Sequence, residues 1–334
     1  MTAQEAGLGT QRIAHNDRMN QSIFISIASY QDPMLFFTLR HAIAMAQQPE
    51  LLRFAVVDQH TQDQREAIHA LPFSRQIRYC HVHPQDTLGV CWARNLAFSL
   101  YDGETYVLQI DSHTCFEQDW DASLRRQHTR LLGVSERPIL STYPYPFEMV
   151  DGKPEYTRPA GDTVLVLRPH PDTPFQSDSS VLRFIAKHMF VDKPVPGCHV
   201  AAGFLFCAGA LVEEVPYDPY LYFHGEEQSM ALRCFTRGWD IFHPAWIPIY
   251  HLYKQIDTAH ASHHWHGEVA SQRAFDMRQL ELRAAARLDR LLSAEGLPGG
   301  YGLGMARSLD DFIAFSGIDY KRKTISNPHE GLLF

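Results

Sequence analysis

The sequence has no C-x-x-C pair, no long basic tract and no uninterrupted apolar stretch of membrane-spanning length. Its six cysteines (80, 91, 115, 198, 207 and 234) are scattered. That spacing excludes a zinc ribbon and a disulfide framework and fits a reducing compartment. The longest cationic run is Lys321-Arg322-Lys323 in a chain of net charge −8, which argues against a nucleic-acid or anionic-membrane surface. The longest segment free of strong polarity, Val200 to Val212, is too short for a bilayer and runs into Glu213-Glu214, so no membrane span is expected. No G-x-G-x-x-G or G-x-x-x-x-G-K-[ST] follows any strand-like run, which removes dinucleotide-binding and P-loop chemistry. Residues 1–21 are polar, lack a signal-peptide core and read as a flexible tail, so the expected location is cytoplasmic.

What remains is ample for a core. Of 334 residues, 45% are hydrophobic and 20% charged, the balance of a globular α/β protein. Strand-like runs occur at Ser22–Ser29, Arg53–Asp58, Ile77–Val82 and Tyr106–Ile110. Between them stand helical patterns at Met34–Gln47, Gln62–Ala70 and Gly89–Leu100. This alternation predicts a parallel sheet with helices on both faces and a ligand crevice at the strand C-termini, lined by residues 28–32, 58–60, 84–94 and 111–113. A helix over Ser123–Gly133 and strands over Pro138–Thr142 and Thr163–Arg168 follow. Residues 169–200 hold five prolines and read as a long loop of the kind that covers active sites. Strands are expected over Gly238–Phe242 and Ile247–His251, and helices over Gln228–Arg237, Gln272–Leu292 and Ser308–Ser316, the last begun by a Ser/Asp cap.

The chemistry centres on Tyr106–Asp121. A buried strand runs into Asp111-Ser112-His113, and a carboxylate and an imidazole two residues apart at a strand end can turn towards one point. Oxygen and nitrogen donors together suit a divalent metal, which would meet the charge of a diphosphate with Arg94 nearby. The plainer explanation is a turn capped by Asp111. Later, Phe223-His224-Gly225-Glu226-Glu227 opens a helix. Two carboxylates there are electrostatically comfortable caps, or else groups that hold sugar hydroxyls or handle an acceptor proton. His251 ends a strand, where a histidine is more often structural than a ligand. Gly203 in Ala201-Ala202-Gly203-Phe204 permits close approach of backbone to a ligand.

Taken in order, Ser26-Ile27-Ala28-Ser29-Tyr30-Gln31-Asp32-Pro33, Gly89 with Ala93-Arg94-Asn95, Asp111-Ser112-His113 with Phe116 and Trp120-Asp121, Ala202-Gly203-Phe204 and His251-Leu252-Tyr253 form a pattern. Leu303-Gly304, Arg307-Ser308-Leu309 and Ser316-Gly317-Ile318-Asp319 extend it. The pattern resembles the Skp1-type hydroxyproline N-acetylglucosaminyltransferases, glycosyltransferase family 60, over roughly residues 22–320. A more distant likeness is to the mucin-type polypeptide N-acetylgalactosaminyltransferases. The resemblance implies a GT-A fold, a single Rossmann-like mixed sheet flanked by helices. Its catalytic domain would cover 22–265, with a nucleotide-binding half at 22–122 and an acceptor and sugar half at 123–265, and a helical extension would follow at 266–334. It implies Asp111, His113 and His251 as ligands of Mn²⁺ or Mg²⁺. Ala28, Ser29, Tyr30, Asp58, Gln59, Arg94, Asp111, Ser112, Gly203 and Phe204 would bind the nucleotide-sugar, with Ser29, Tyr30 and Asp58 at the uridine end. Glu226, Glu227 and Arg94 would be the catalytic residues, the two glutamates orienting the sugar and Arg94 near the donor diphosphate or the sugar. Gln31 stands where the pattern has arginine, and Gly225-Glu226-Glu227 departs from the relatives' Gly-Gly-Glu-Asn, with Glu226 favoured for the sugar.

The implied activity is metal-dependent, retaining transfer of N-acetylglucosamine from UDP-GlcNAc or a related UDP-sugar to a hydroxyl of a protein, peptide or small molecule. The alternatives are an inverting transferase with Glu226 or Glu227 as base, a metal-dependent phosphohydrolase, and a silent nucleotide-sugar-binding module. Phosphohydrolases generally gather more carboxylates and histidines around two metals than this chain places near Asp111.

Overall fold

The computed structural model describes residues 21–158, 163–170, 175, 180–253, 264, 271–273 and 276–326. The expected tail and parts of the expected active-site loop and C-terminal extension lie outside the described residues. The first half alternates as the sequence predicts: β1 (Ile23–Tyr30), α1 (Leu35–Met45), β2 (Leu52–Gln59), α2 (Arg65–His69), β3 (Ile77–Val82), α3 (Val90–Phe98) and β4 (Tyr106–Asp111). The polar helix expected over 62–70 shortens to α2, which begins at Arg65, where Asp63 Oδ1 accepts from the Arg65 N–H at 2.9 Å. There follow β5 (Thr114–Phe116), α4 (Trp120–Leu131), β6 (Pro138–Ser141), β7 (Tyr145–Val150), β8 (Lys153–Tyr156), β9 (Val164–Pro169), β10 (Phe184–Met189), β11 (Val195–Gly197) and β12 (Phe204–Ala208). The second half closes with α5 (Glu226–Thr236), β13 (Asp240–His243), β14 (Ile249–His251), α6 (Met277–Leu292), α7 (Leu309–Ser316), β15 (Ile318–Asp319) and β16 (Thr324–Ile325).

The main sheet has eight strands in the order β11-β13-β6-β12-β4-β1-β2-β3. β4, β1, β2 and β3 are parallel, as expected. The parallel run read from the first four strands ends at β12, which runs antiparallel between β4 and β6. This reversal brings the start of β12, with Ala202 and Gly203, beside the C-terminal end of β4. The sheet is therefore mixed, and the crevice gains a wall that a purely parallel sheet would lack.

Two further departures shape the site. Residues 169–200 do not form one loop, because β10 pairs with β9 as an antiparallel hairpin and β11 joins the sheet edge. The apolar residues of 181–197 find partners, which composition alone did not reveal. Directly after Asp111-Ser112-His113, β5 enters a second sheet in the order β5-β14-β7-β8. His251 pairs in register with Thr114, so the second sheet brings it beside the end of β4.

The core lies on both faces of the main sheet. Phe24, Val57, Val107 and Leu205 pack with α3 and α5 on one side. Ile25, Leu39, Phe54, Leu108 and Trp120 pack with α1 and α4 on the other. The full burial of these side chains is the dominant favourable term for such a sheet. α6 and α7 close over α5 through Leu232, Leu288, Leu291 and Phe312. The expected cap of α7 is present as a capping box between Ser308 and Asp311. Gly89 starts α3 at φ +107°, and a Cβ there would stand 2.5 Å from the Tyr222 ring, so both backbone angle and space require glycine. Among the described residues no helix is long and apolar enough to cross a membrane.

Candidate active site

The C-terminal ends of β1, β2 and β4 open into a cavity of about 800 Å³, as open α/β sheets dictate. Ala28, Tyr30, Gln59, Arg94, Asp111, Ser112, His113, Gly203, Glu226, Glu227 and His251 all line it. Ser29 and Asp58, expected to line the crevice, do not, and neither does Phe204. Side chains along a strand alternate between faces, so Ala28 and Tyr30 turn to the cavity while Ser29 turns away and is fully buried. Asp58 faces the sheet's other side, accepting from Tyr79 Oη at 2.9 Å and Gln64 Nε2 at 3.1 Å. Burial pushes its carboxyl up against those hydrogen bonds. Phe204 belongs to the core.

Asp111, His113 and His251 offer ligand atoms that all lie within 4.8 Å of one another, the one such cluster of His, Cys, Asp and Glu side chains among the described residues. His251 Nε2 stands 3.1 Å from Asp111 Oδ2 and 3.0 Å from His113 Nε2. One carboxylate oxygen and two imidazole nitrogens converging on a point form a donor set that fits a divalent cation such as Mn²⁺. Burial alone would raise the Asp111 carboxyl. The hydrogen bond from His251 and the Arg94 charge outweigh it and hold Asp111 well below the usual carboxylate range, ready to ligate. Gly203 makes room, because a Cβ there would lie 3.0 Å from Asp111 Oδ2.

A buried relay stands behind this cluster. Arg94 Nη2 donates to Asp111 Oδ1 at 2.9 Å and to the Ala202 carbonyl at 3.2 Å. Arg94 Nη1 pairs with Glu226 Oε1. Cys91 Sγ donates to the other Glu226 oxygen at 2.9 Å. The side chains of Arg94 and Glu226 are 4% and 5% exposed. Burial would release the Arg94 proton, but the Glu226 charge reverses this, and the guanidinium is raised still further above its ordinary value. The structure thus gives Glu226 to Arg94 and makes Glu227 the more open carboxylate, with its side chain 26% exposed. Glu227 Oε1 accepts from the Ala202 N–H at 2.7 Å, and Oε2 accepts from Tyr143 Oη at 3.2 Å. His199 Nε2 lies 3.5 Å from Oε2.

Sequence reasoning left Asp32, Cys91, Tyr143, His199, Tyr222 and His264 unassigned. Asp32 sat in the quoted Ser-Tyr-Gln-Asp-Pro turn, and its nearness in the chain to the crevice edge was the available signal. The others depend on tertiary contacts. Tyr30, at the end of β1, pairs through its hydroxyl with Arg273, and its ring lies 5.4 Å from that of His264. His264 Nε2 is 2.6 Å from Thr87 Oγ1, and its Nδ1 is 2.9 Å from Tyr222 Oη. Burial, aided by Arg273, lowers the His264 imidazole to about 4. A second cavity, of about 940 Å³, opens between α4, β13 and α7 and contains none of the expected site residues.

The family model described as Glycosyltransferase (GlcNAc) matches residues 22–73 and 63–322. No curated protein matches the sequence. Among solved structures, the fold is similar to that of GalNAc-T7 crystallised with UDP, GalNAc and Mn²⁺, at 12% identity and a TM-score of 0.54. The match covers 70% of this chain and 44% of that one, so the chain spans less than half the length of that protein. Staphylococcus aureus TarS 1–349 in complex with UDP-GlcNAc aligns at 13% identity and a TM-score of 0.42, over 80% of this chain and 72% of that one. The mixed sheet flanked by helices is the expected GT-A architecture.

Proposed function

Because the chain belongs to the glycosyltransferase (GlcNAc) family, we propose that it moves N-acetylglucosamine from UDP-GlcNAc, or a related UDP-sugar, to a hydroxyl acceptor. The observation that carries the reading is the convergence of Asp111, His113 and His251 at the cavity's strand-end edge. These three residues would hold Mn²⁺ or Mg²⁺. A bound divalent cation supplies the charge that a departing nucleoside diphosphate needs. Arg94 keeps Asp111 ionised and aimed, and adds positive charge close to that edge. Tyr30 and Gln59 flank the nucleotide end. Glu227, held by the Ala202 N–H and Tyr143, orients the sugar or the acceptor hydroxyl. Glu226 acts through Arg94.

Within that activity, the Skp1-type hydroxyproline N-acetylglucosaminyltransferases remain the proposed kin, with a protein or peptide hydroxyl as acceptor and retention at the anomeric carbon. A catalytic unit over 22–265 with the helices after it as an extension is part of the same proposal, as is action in the cytoplasm. The inverting alternative has one observation in its favour, the partly exposed Glu227 carboxylate beside Tyr143. A panel of UDP-sugars assayed for Mn²⁺-dependent hydrolysis tests the donor without knowledge of the acceptor. UDP-GlcNAc should be cleaved fastest, and failure to cleave any UDP-sugar would sink the proposal. The anomeric configuration of the sugar released or transferred separates retention from inversion.

A further inference from the structure

The Ser29-Tyr30-Gln31-Asp32-Pro33 turn has a second duty that the nucleotide end does not explain. We infer that Asp32 is a positioning residue for the metal site: it fixes the His113 ring so that Nε2 points at the Asp111 and His251 cluster. The inference rests on the metal reading given above and deepens it.

The geometry is direct. The Asp32 side chain is 2% exposed. Its Oδ2 lies 2.5 Å from His113 Nδ1 and accepts from Ser112 Oγ at 2.7 Å. Its Oδ1 accepts from the Met34 N–H at 2.9 Å, at the start of α1. A carboxylate facing Nδ1 accepts its proton, so the neutral ring carries hydrogen on Nδ1 and keeps its lone pair on Nε2. Nε2 is the atom 3.0 Å from His251 Nε2. Carboxylates in this relation to a ligating imidazole fix both tautomer and ring angle and raise the basicity of the metal-facing nitrogen.

The turn is built for the task. Gln31 takes φ 45°, a left-handed conformation that side-chain-bearing residues rarely adopt, and Pro33 follows Asp32. α1 is also tied to the D-S-H turn itself, because Thr38 Oγ1 donates to the Ser112 carbonyl at 2.8 Å and accepts from the Thr114 N–H at 2.9 Å. Asp32 and Thr38 therefore anchor the loop bearing His113 to α1 from two sides. This explains an aspartate in the motif without asking it to touch the nucleotide.

The test uses the whole chain with Asp32→Asn and Asp32→Ala. Asp32→Ala also removes the contact to the Met34 N–H, whereas Asp32→Asn keeps the shape and an acceptor oxygen, so one variant remains interpretable if the other fails to fold. Mn²⁺ binding is read from the loss of the free-ion electron paramagnetic resonance signal. ¹⁵N-histidine NMR of the metal-free protein reads the His113 tautomer. We expect the Nδ1–H form in wild type, a shift towards Nε2–H in Asp32→Ala, and Mn²⁺ affinity weakened roughly 10- to 100-fold in folded variants. Wild-type Mn²⁺ affinity and an unchanged His113 tautomer in both variants would overturn the inference. Wild type that takes up no Mn²⁺ would remove the metal reading itself, and with it this role for Asp32.

Discussion

Replacing Glu226 by alanine distinguishes a buried pin from a group that acts on substrate. Glu226 and Arg94 are an almost fully buried ion pair, and Cys91 fills the other carboxylate oxygen. Removing one partner of such a pair leaves a desolvated charge and costs about 3–5 kcal/mol. Arg94 would keep Asp111 at 2.9 Å and the Ala202 carbonyl at 3.2 Å, which places the expected loss near the lower end, about 3 kcal/mol. Glu226→Gln keeps one acceptor oxygen, for either Arg94 or Cys91, sets an amide N–H₂ against the other and removes the charge, and should cost about 1.5–2 kcal/mol. Urea denaturation followed by tryptophan fluorescence measures both. Turnover should fall as well, because a loosened Arg94 no longer aims Asp111. The reasoning is refuted if Glu226→Ala keeps wild-type stability while losing turnover, since Glu226 would then serve the substrate rather than Arg94.

Other perturbations probe the remaining parts. Gly203→Ala would set a Cβ 3.0 Å from Asp111 Oδ2, and by displacing that oxygen should weaken Mn²⁺-dependent UDP binding on the order of tenfold or more, read by calorimetry. Unchanged binding would mean that Asp111 does not need its present position. Glu227→Gln should cut turnover by on the order of 10², with Mn²⁺ affinity and the unfolding midpoint retained. Wild-type turnover would remove Glu227 from the reaction. His264 has its folded-state pKa lowered from 6.5 to about 4. Its neutral form is therefore favoured in the fold, and the associated stability is complete above about pH 6.5 and is lost as pH falls towards 4, up to about 3 kcal/mol. Urea midpoints across that range should show this slope, and His264→Asn should flatten it. An equal slope in the variant contradicts the assignment.

Much of the frame was legible because short apolar β-branched runs with turn residues between them leave few alternatives. β1 to β4 and the strand-end position of Asp111-Ser112-His113 follow from that pattern. His251 was readable as a ligand only through resemblance, because its approach depends on β5 and β14 pairing in a second sheet. A three-residue strand such as Thr114–Phe116 carries no periodic signal of its own. Antiparallel β12 escaped for a related reason: an apolar run states that a strand is buried, not which way it runs. Ser29 and Asp58 were assigned by adjacency to strand ends, but alternation turned them away from the cavity. The chain from Cys91 through Glu226 and Arg94 to Asp111 joins residues more than a hundred positions apart, and only tertiary packing reveals that Glu226 is occupied and Glu227 open.

The central claim is that Asp111, His113 and His251 hold a divalent cation on which nucleotide binding depends. Calorimetric titration of UDP into wild type and Asp111→Ala, with and without Mn²⁺, tests it most directly, with circular dichroism to confirm folding. Wild type should bind UDP far more tightly with Mn²⁺ than without it. Asp111→Ala should remain folded and lose that enhancement, and His251→Ala should weaken Mn²⁺-dependent binding roughly 10- to 100-fold. Full Mn²⁺ enhancement of UDP binding in folded Asp111→Ala would contradict the account.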